Sequence, residues 1–182
     1  MNDVSRLARV IQETGFQCTR CGQCCSAVEN DSDLVMVTPP EIRAICERFG
    51  FSWQDVAEPY PETIENPPGH LFTVGWCLRR EQGHCRFLAN NSCTIYEKRP
   101  WICRTYPFSL SDRGVQTSPC PGLGREISQE DAISLAQVLL NRSVAESADD
   151  ENVRKVLNTV KIPAGTFVVI DSEGMKRPPD DY

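Results

Sequence analysis

The sequence predicts an α+β chain: a small, loop-rich single domain organised around a cysteine-ligated metal centre, with helical N- and C-terminal flanks. Three observations lead there. Apolar residues recur at helical spacing near the start and again after Ser128. Between those stretches, short apolar runs alternate with turn residues. Ten cysteines are spread over 182 residues, and four of them crowd into Cys18-Thr-Arg-Cys21-Gly-Gln-Cys24-Cys25.

Taken in order, Val4, Leu7, Ala8 and Ile11 share one helical face, and Gly15 ends the helix. Leu34-Val35-Met36-Val37 is a short buried strand. Thr38-Pro39-Pro40-Glu41 has the form of a capping box with proline at the first helical position, opening a helix that stops at Gly50. Cys46 lies in this helix beside Ile42, Ile45 and Phe49 and reads as a core thiol. Ser52-Trp53-Gln54-Asp55 starts another short helix, and Pro59, Pro61, Pro67 and Pro68 then impose an irregular, extended loop. Leu71 to Leu78 is a strand. Glu81 to His84 turns into a second one at Cys85-Arg86-Phe87-Leu88, and Asn90-Asn91-Ser92 turns again, so Cys85 and Cys93 flank a tight turn.

Ser128 with Asp131 opens a helix carrying Ile133, Ala136, Val138, Leu139 and Leu140. Asp149-Asp150-Glu151 separates it from a second face of Val153, Val156, Leu157 and Val160. Phe167 to Ile170 is a strand between Gly165 and Gly174, and Met175 to Tyr182 reads as a polar, mobile tail. With no internal repeat and no strong linker, residues 1–182 read as one domain. Residues 16–125 form its cysteine core, and residues 126–182 a C-terminal helical extension and tail.

Composition narrows the function. At 40% hydrophobic and 24% charged residues, the chain is globular in type. It has no apolar run of about 18 residues, so no membrane span is expected. The N-terminus lacks the basic and apolar regions of a secretory signal, so the expected compartment is the cytoplasm. In that reducing setting, clustered cysteines are metal ligands rather than disulfides. A net charge of −6 argues against nucleic acid as a partner. Locally the balance reverses: Arg79, Arg80, Arg86, Lys98, Arg99 and Arg104 stand against Glu81 and Glu97. That excess is either a solvated basic surface or compensation for thiolate charge.

Thiolate is the donor that soft metals and iron–sulfur clusters select. As a helix, residues 18–25 would bring Cys18, Cys21 and Cys25 within about 60° of one another and leave Cys24 roughly 100° away. A loop, helped by Gly15 and Gly22, could wrap all four around one centre. CxxC is a common zinc-site unit, and CxxCxxC is similar to the cluster-binding run of bacterial ferredoxins. It is not the CxxxCxxC spacing of radical S-adenosylmethionine enzymes.

Downstream come Gly83-His84-Cys85-Arg86-Phe87-Leu88, then Cys93-Thr94-Ile95-Tyr96-Glu97-Lys98-Arg99-Pro100-Trp101-Ile102-Cys103-Arg104-Thr105-Tyr106-Pro107, then Pro119-Cys120-Pro121-Gly122-Leu123-Gly124. Together with CxxCGxCC, this resembles the YkgJ-type CxxCxxCC family, a zinc- or iron-chelating domain, over about residues 16–125. The resemblance implies metal chelation by Cys18, Cys21, Cys24, Cys25, Cys85, Cys93, Cys103 and Cys120. Flagellin lysine N-methylases contain such a module. This chain shows no glycine-rich nucleotide loop, so methyl transfer is not carried over to it.

Cys77 falls outside the pattern and reads as core, and His70 and His84 as surface. Pro100 opens a helical turn carrying Cys103, and Tyr96 and Tyr106 pack around it. Arg99 and Arg104 are expected to donate to thiolates or cluster sulfides, with Tyr96 beside them. Zinc would staple the domain through closed tetrahedral sites. Dense sulfur, the absence of histidine from the set and the flanking arginines favour at least one [4Fe–4S] cluster, with ligands enough for a second. The expected role is electron transfer, redox sensing or that of a cluster-bearing accessory subunit, with an unidentified protein redox or assembly partner. A small cluster-dependent modifying enzyme is the third reading, although no catalytic motif is present and no catalytic residue is assigned.

Overall fold

The computed structural model describes residues 3–26 and 34–178. Met1, Asn2 and the end of the expected tail, residues 179–182, lie outside the described residues. The fold is α+β, made of five α-helices and several small sheets among the described residues. No helix among them is long and apolar enough to cross a membrane.

The helices follow from their ends. Helix α1 (Asp3–Thr14) buries Leu7, Ala8 and Ile11 and gives way to Gly15 at φ 70°. Helix α2 (Pro39–Phe49) starts with a reciprocal Thr38–Glu41 capping box and ends at Gly50, which is left-handed. A short α3 (Trp53–Val56) repeats the box with Ser52 and Asp55. Helix α4 (Trp101–Thr105) is capped by Pro100. Helix α5 (Gln129–Thr159) starts where Ser128 accepts from the amide of Asp131 at 3.0 Å.

The expected break within this last helix does not occur: α5 is one helix of 31 residues, continuous through Asp149-Asp150-Glu151. Charged residues carry only a modest helix penalty, and no glycine or proline stands there to stop propagation.

The strands depart further from expectation. The run Leu71–Leu78 splits at Gly75 (φ 82°) into β4 (Leu71–Val74) and β5 (Trp76–Leu78), which belong to different sheets. Strand β5 is the centre of a three-stranded sheet, between β1 (Met36–Val37) and β2 (Ala57–Pro59). The proline-rich loop thus contributes β2 and also β3 (Ile64–Glu65), which pairs with β4. Only Met36 and Val37 of the expected first strand are extended in a ladder, and Met36 is exposed.

After α4, β10 (Phe108–Ser111) and β11 (Gly114–Thr117) form a hairpin, and near the C-terminus β12 (Val168–Asp171) runs parallel to β4 and antiparallel to β13 (Gly174–Lys176). Met175 and Lys176, expected in a mobile tail, therefore belong to an edge strand, with Met175 half-buried.

Apolar burial falls into three groups. Val37, Ile42, Ile45, Val56, Trp76 and Phe87 pack between α2, α3 and the three-stranded sheet. Half-buried Cys46 lies against this group. Leu7, Ile11, Phe108, Ala132, Ala136 and Leu139 join α1 to α5. Phe72, Val168 and Ile170 form the third. Cys77 is fully buried in β5, and burial pushes its thiol up to about 11, so the core reading holds.

Trp76 fixes the first group to the C-terminal hairpin. Its indole N–H donates to Asp171 at 2.8 Å, both residues are buried, and Lys176 stands 3.6 Å from the same carboxylate. Asp171→Ala removes the acceptor of the Trp76 indole N–H and of the Glu173 amide and leaves Lys176 only its 4.0 Å contact with Glu173. Its expected cost is about 3 kcal/mol, read as a lower urea midpoint. Asp171→Asn, which keeps an acceptor for the indole, is expected to lose less than half of that. A midpoint unchanged in the alanine variant would contradict this role.

Candidate metal centre

Four segments carry the cysteines of the pattern, and Cys85 and Cys93 pack against the first core. The first is the chain from Phe16 to Ser26. It is a loop, not a helix: Arg20 and Gly22 have φ of 53° and 74°, and only Gln23–Cys25 make a 3₁₀ turn. Its entry is clamped to the Cys120 turn. Gln17 N–H donates to Gly122 at 3.0 Å, Gly124 N–H to Gly15 at 3.1 Å, and Phe16 bridges Leu123. A Cβ on Gly122 would come 2.4 Å from the Gln17 carbonyl oxygen, so this approach requires glycine. The loop's exit is fixed by a bridge between Ser26 and His84, beside Cys85.

The second segment holds two tandem hairpins, β6–β7 (Arg80–Glu81, His84–Cys85) and β8–β9 (Leu88–Ala89, Ser92–Cys93). Each turns on two residues of positive φ, Gln82-Gly83 (53° and 82°) and Asn90-Asn91 (50° and 58°), the geometry of tight two-residue turns. Cys85 pairs with Arg80 as Cys93 pairs with Leu88. After each cysteine an amide returns to the start of its hairpin, Arg86 to Arg79 at 3.1 Å and Thr94 to Phe87 at 2.8 Å. The sulfurs accept from the amides of Phe87 and Ile95, two residues on, whose side chains are both buried. Cys120 accepts from Gly122 N–H, also two residues on, at 3.4 Å.

Cys85 and Cys93 therefore occupy equivalent places in a structural repeat, not the two flanks of one turn. The repeat is one of geometry and not of sequence. The two units share only the turn geometry, the cysteine and a following apolar residue, which sequence identity does not register.

The remaining cysteine, Cys103, lies on α4. That helix is tied to α2 by the Trp101 N–H, which donates to Glu41 at 2.7 Å.

Cys24, Cys25, Cys85, Cys93 and Cys103 stand close enough for charge on one to shift another. Cys24 and Cys25 are in direct contact, sulfur to sulfur 3.8 Å, and line a small cavity with Val35, Leu78, Arg80 and Cys85. The hydrogen bond between them pulls the Cys24 thiol down and pushes Cys25 up, so the pair retains a proton. Burial pushes Cys85, Cys93 and Cys103 up; amide donors oppose this at the first two, and Arg99 opposes it at Cys93 and Cys103. Cys18 and Cys21 are exposed, and Cys120 is half-buried beside the loop's entry. Among the described residues, no three Cys, His, Asp or Glu side chains stand in a closed metal-holding geometry.

Arg99, expected to donate to sulfur, donates to backbone carbonyls and acts on the thiols through its charge. It stacks on Tyr96 at 3.6 Å, donates to the carbonyls of Tyr96 (3.2 Å) and Cys103 (3.5 Å), and lowers the thiols of Cys24, Cys93 and Cys103. Arg104 faces elsewhere: its Nε donates to the Arg99 carbonyl and its guanidinium lies 5.1 Å from the Trp101 ring. Tyr96 is exposed rather than packed, and its ring serves as the platform for Arg99. His84 and His70 lie outside the sulfur group, His70 bonded to the Ile162 carbonyl at 2.6 Å. Arg80, counted in the basic stretch read as surface or as thiolate compensation, lines the cavity beside Cys24, Cys25 and Cys85. The turn that places it there, Gln82-Gly83, was its sequence signal.

The donor chemistry fits a soft metal. All five grouped donors are sulfur, several accept amide hydrogen bonds, and burial disfavours their free anions, so a cation would relieve the site. A sulfur-only donor set presented by a loop, paired hairpins and a short helix defines a metal-chelating module. The chain belongs to the CxxCxxCC family, described as "Putative zinc- or iron-chelating domain", which matches residues 17–121. It is similar to a protein of Methanocaldococcus jannaschii described as uncharacterized, 30% identical over 100 residues, covering 54% of this chain and 47% of that relative. The chain thus spans less than half of that relative's length. No solved structure matches.

Two supports of the site are testable. Gly122→Ala is expected to cost about 2 kcal/mol in urea denaturation by prising Cys120 from the Cys18 loop. A midpoint equal to wild type would mean the clamp is dispensable. The first hairpin is anchored by Arg86, which donates to Asp55 at 2.9 Å. The Ser52 hydroxyl and amide, with Arg86, hold the Asp55 carboxyl down at about 2. A depressed carboxylate stabilises the fold fully above its unfolded value near 4 and loses this as pH falls toward 2. The stability gap between wild type and Asp55→Asn should therefore be constant above about pH 5 and close below about pH 3. A gap that widens in acid would reverse the sign.

Proposed function

We propose that the cysteines of this chain hold an iron–sulfur centre, at least one [4Fe–4S] cluster, and that the protein works in electron transfer, in redox sensing or as a cluster-bearing accessory subunit. One observation carries the reading: five sulfurs, from Cys24, Cys25, Cys85, Cys93 and Cys103, influence one another across one partly buried space. A closed single-ion site takes four ligands, so five exceed what one tetrahedral ion requires. The Gln17–Gly122 clamp holds the Cys18 loop to the Cys120 turn, and Cys18, Cys21 and Cys120 are proposed as further ligands. When bound, such a cluster supplies one-electron chemistry.

The chain's own residues supply the setting. Amides of Phe87, Ile95 and Gly122 donate to sulfur, Arg99 places positive charge beside it, and Val35 and Leu78 give the inner side an apolar lining. Exposed Cys18, Cys21 and Cys24 form the edge from which a protein partner would exchange electrons. The cytoplasm, a reducing compartment, would keep the thiols free for metal.

A second reading rests on the contact of Cys24 with Cys25. Their 3.8 Å separation equals the edge of a sulfur tetrahedron around one ion at about 2.3 Å, so a structural zinc is the competing occupant.

Anaerobic purification followed by iron, zinc and sulfide quantification separates the two. The expected outcome is a brown protein holding iron and acid-labile sulfide, with an electron paramagnetic resonance signal on reduction. Cys103→Ser is expected to lose most of both. A colourless protein with stoichiometric zinc and no sulfide would overturn the cluster. Metal content unchanged in Cys103→Ser would remove that residue from the ligand set.

A further inference from the structure

Behind the sulfurs, α2, α4, α5 and the β12–β13 turn enclose a cleft of about 430 Å³. That volume lies within the range of small-molecule sites. Pro40, Ala44, Ala145 and Ala148 give it an apolar floor beside Trp101. Six charged groups stand around it, and they are not equally engaged. Glu41 accepts from Thr38 N–H at 2.9 Å, from the Thr38 hydroxyl at 2.8 Å and from Trp101 N–H at 2.7 Å. Glu173 is gripped by the Arg43 fork at 2.6 and 2.8 Å. Asp149 is bonded to Ser172, and burial disfavours its charge.

The three cations are different. Lys98, Arg99 and Arg104 form no ion pair among the described residues. Both arginines are nonetheless held in place, Arg99 on the Tyr96 ring at 3.6 Å and Arg104 through the Arg99 carbonyl. The cleft thus presents oriented cations without a direct ion-pair partner next to an indole. Guanidinium forks match the oxygens of phosphate and carboxylate groups.

We propose that this cleft binds a small organic oxyanion, a phosphate monoester or a carboxylate with a flat apolar body, on Lys98, Arg99 and Arg104 with the body against Trp101. Arg99 also faces Cys24, Cys93 and Cys103, so the bound anion would sit one side chain away from the sulfurs. The site stands on the cleft alone and goes beyond the metal reading, whichever metal the thiols take.

Isothermal titration of the full chain, metal content as purified, tests it with phenyl phosphate, benzoate, inorganic phosphate and benzylamine. Phenyl phosphate or benzoate is expected to bind saturably and more tightly than inorganic phosphate. The tighter of the two names the anion class. Benzylamine is expected not to bind. Arg104→Gln should weaken the anion about tenfold, the loss of one charged hydrogen bond. Ala148→Tyr, an exposed helix position on the opposite wall, should block the cleft without altering charge or metal content. The proposal is overturned if neither aryl anion binds, if benzylamine binds as tightly, if inorganic phosphate matches them, or if both variants keep wild-type affinity.

Discussion

Thiolates gathered out of water repel one another and lose hydration, and the arrangement of this protein's cysteines answers that constraint. Burial raises Cys85, Cys93 and Cys103, and Cys25 is raised by its contact with Cys24. Three devices oppose the penalty. Amides two residues downstream donate to Cys85, Cys93 and Cys120. Arg99 supplies positive charge. The Cys24–Cys25 contact lets one sulfur ionise while its neighbour keeps the proton. None of these neutralises the group, which is why the same residues that strain as free thiols suit a cation.

Holding several sulfurs near one another is a task for backbone geometry, because short loops have little core of their own. Here the left-handed residues Arg20, Gln82, Asn90 and Asn91 set the turns. The buried side chains of Phe87 and Ile95 anchor the hairpins into the main core. Glu41 has the widest reach: one carboxylate completes the N-cap of α2 and bonds the first amide of α4, so the helix bearing Cys103 is referenced to the helix that floors the core. The C-terminal segment is equally integrated. Its helix packs on α1, its strand pairs with β4, and its Asp171 holds Trp76.

What the sequence revealed was local chemistry. The Thr38–Glu41 box, the helix start at Ser52, the stops at Gly15 and Gly50 and the Ser128 cap are each decided within a few residues, and all stand as expected. The family and the α+β class were legible from the cysteine spacing and the mixed periodicities. What was hidden depended on partners far along the chain. Gly75 marked a break in an apolar run, but only the positions of β1, β2 and β12 assign its two halves to separate sheets. Gly174-Met175-Lys176 is polar in sequence and a strand only because β12 lies beside it. For the site, spacing identified the cysteines, whereas the grouping of five of them and the side placement of Cys18, Cys21 and Cys120 depend on the clamp and the two hairpins.

The basic stretch from Arg79 to Arg104 had two readings, a solvated surface or charge compensation, and the structure gives most of these arginines a third task. Arg79 donates to the Gln54 carbonyl at 2.8 Å, Arg80 to Gly83 at 2.7 Å and Arg86 to Asp55 at 2.9 Å. Arg99 and Arg104 do the same for Tyr96 and Arg99. A loop-rich chain leaves carbonyls outside regular ladders, and each needs a donor. Arginine meets that need with five N–H groups in a rigid plane, whereas lysine offers a rotating point charge. Positive charge therefore reaches the sulfurs as a consequence of stitching the loops together. Arg99 shows how the two tasks combine: its carbonyl bonds fix the loop before α4, and that same placement sets its charge beside Cys24, Cys93 and Cys103.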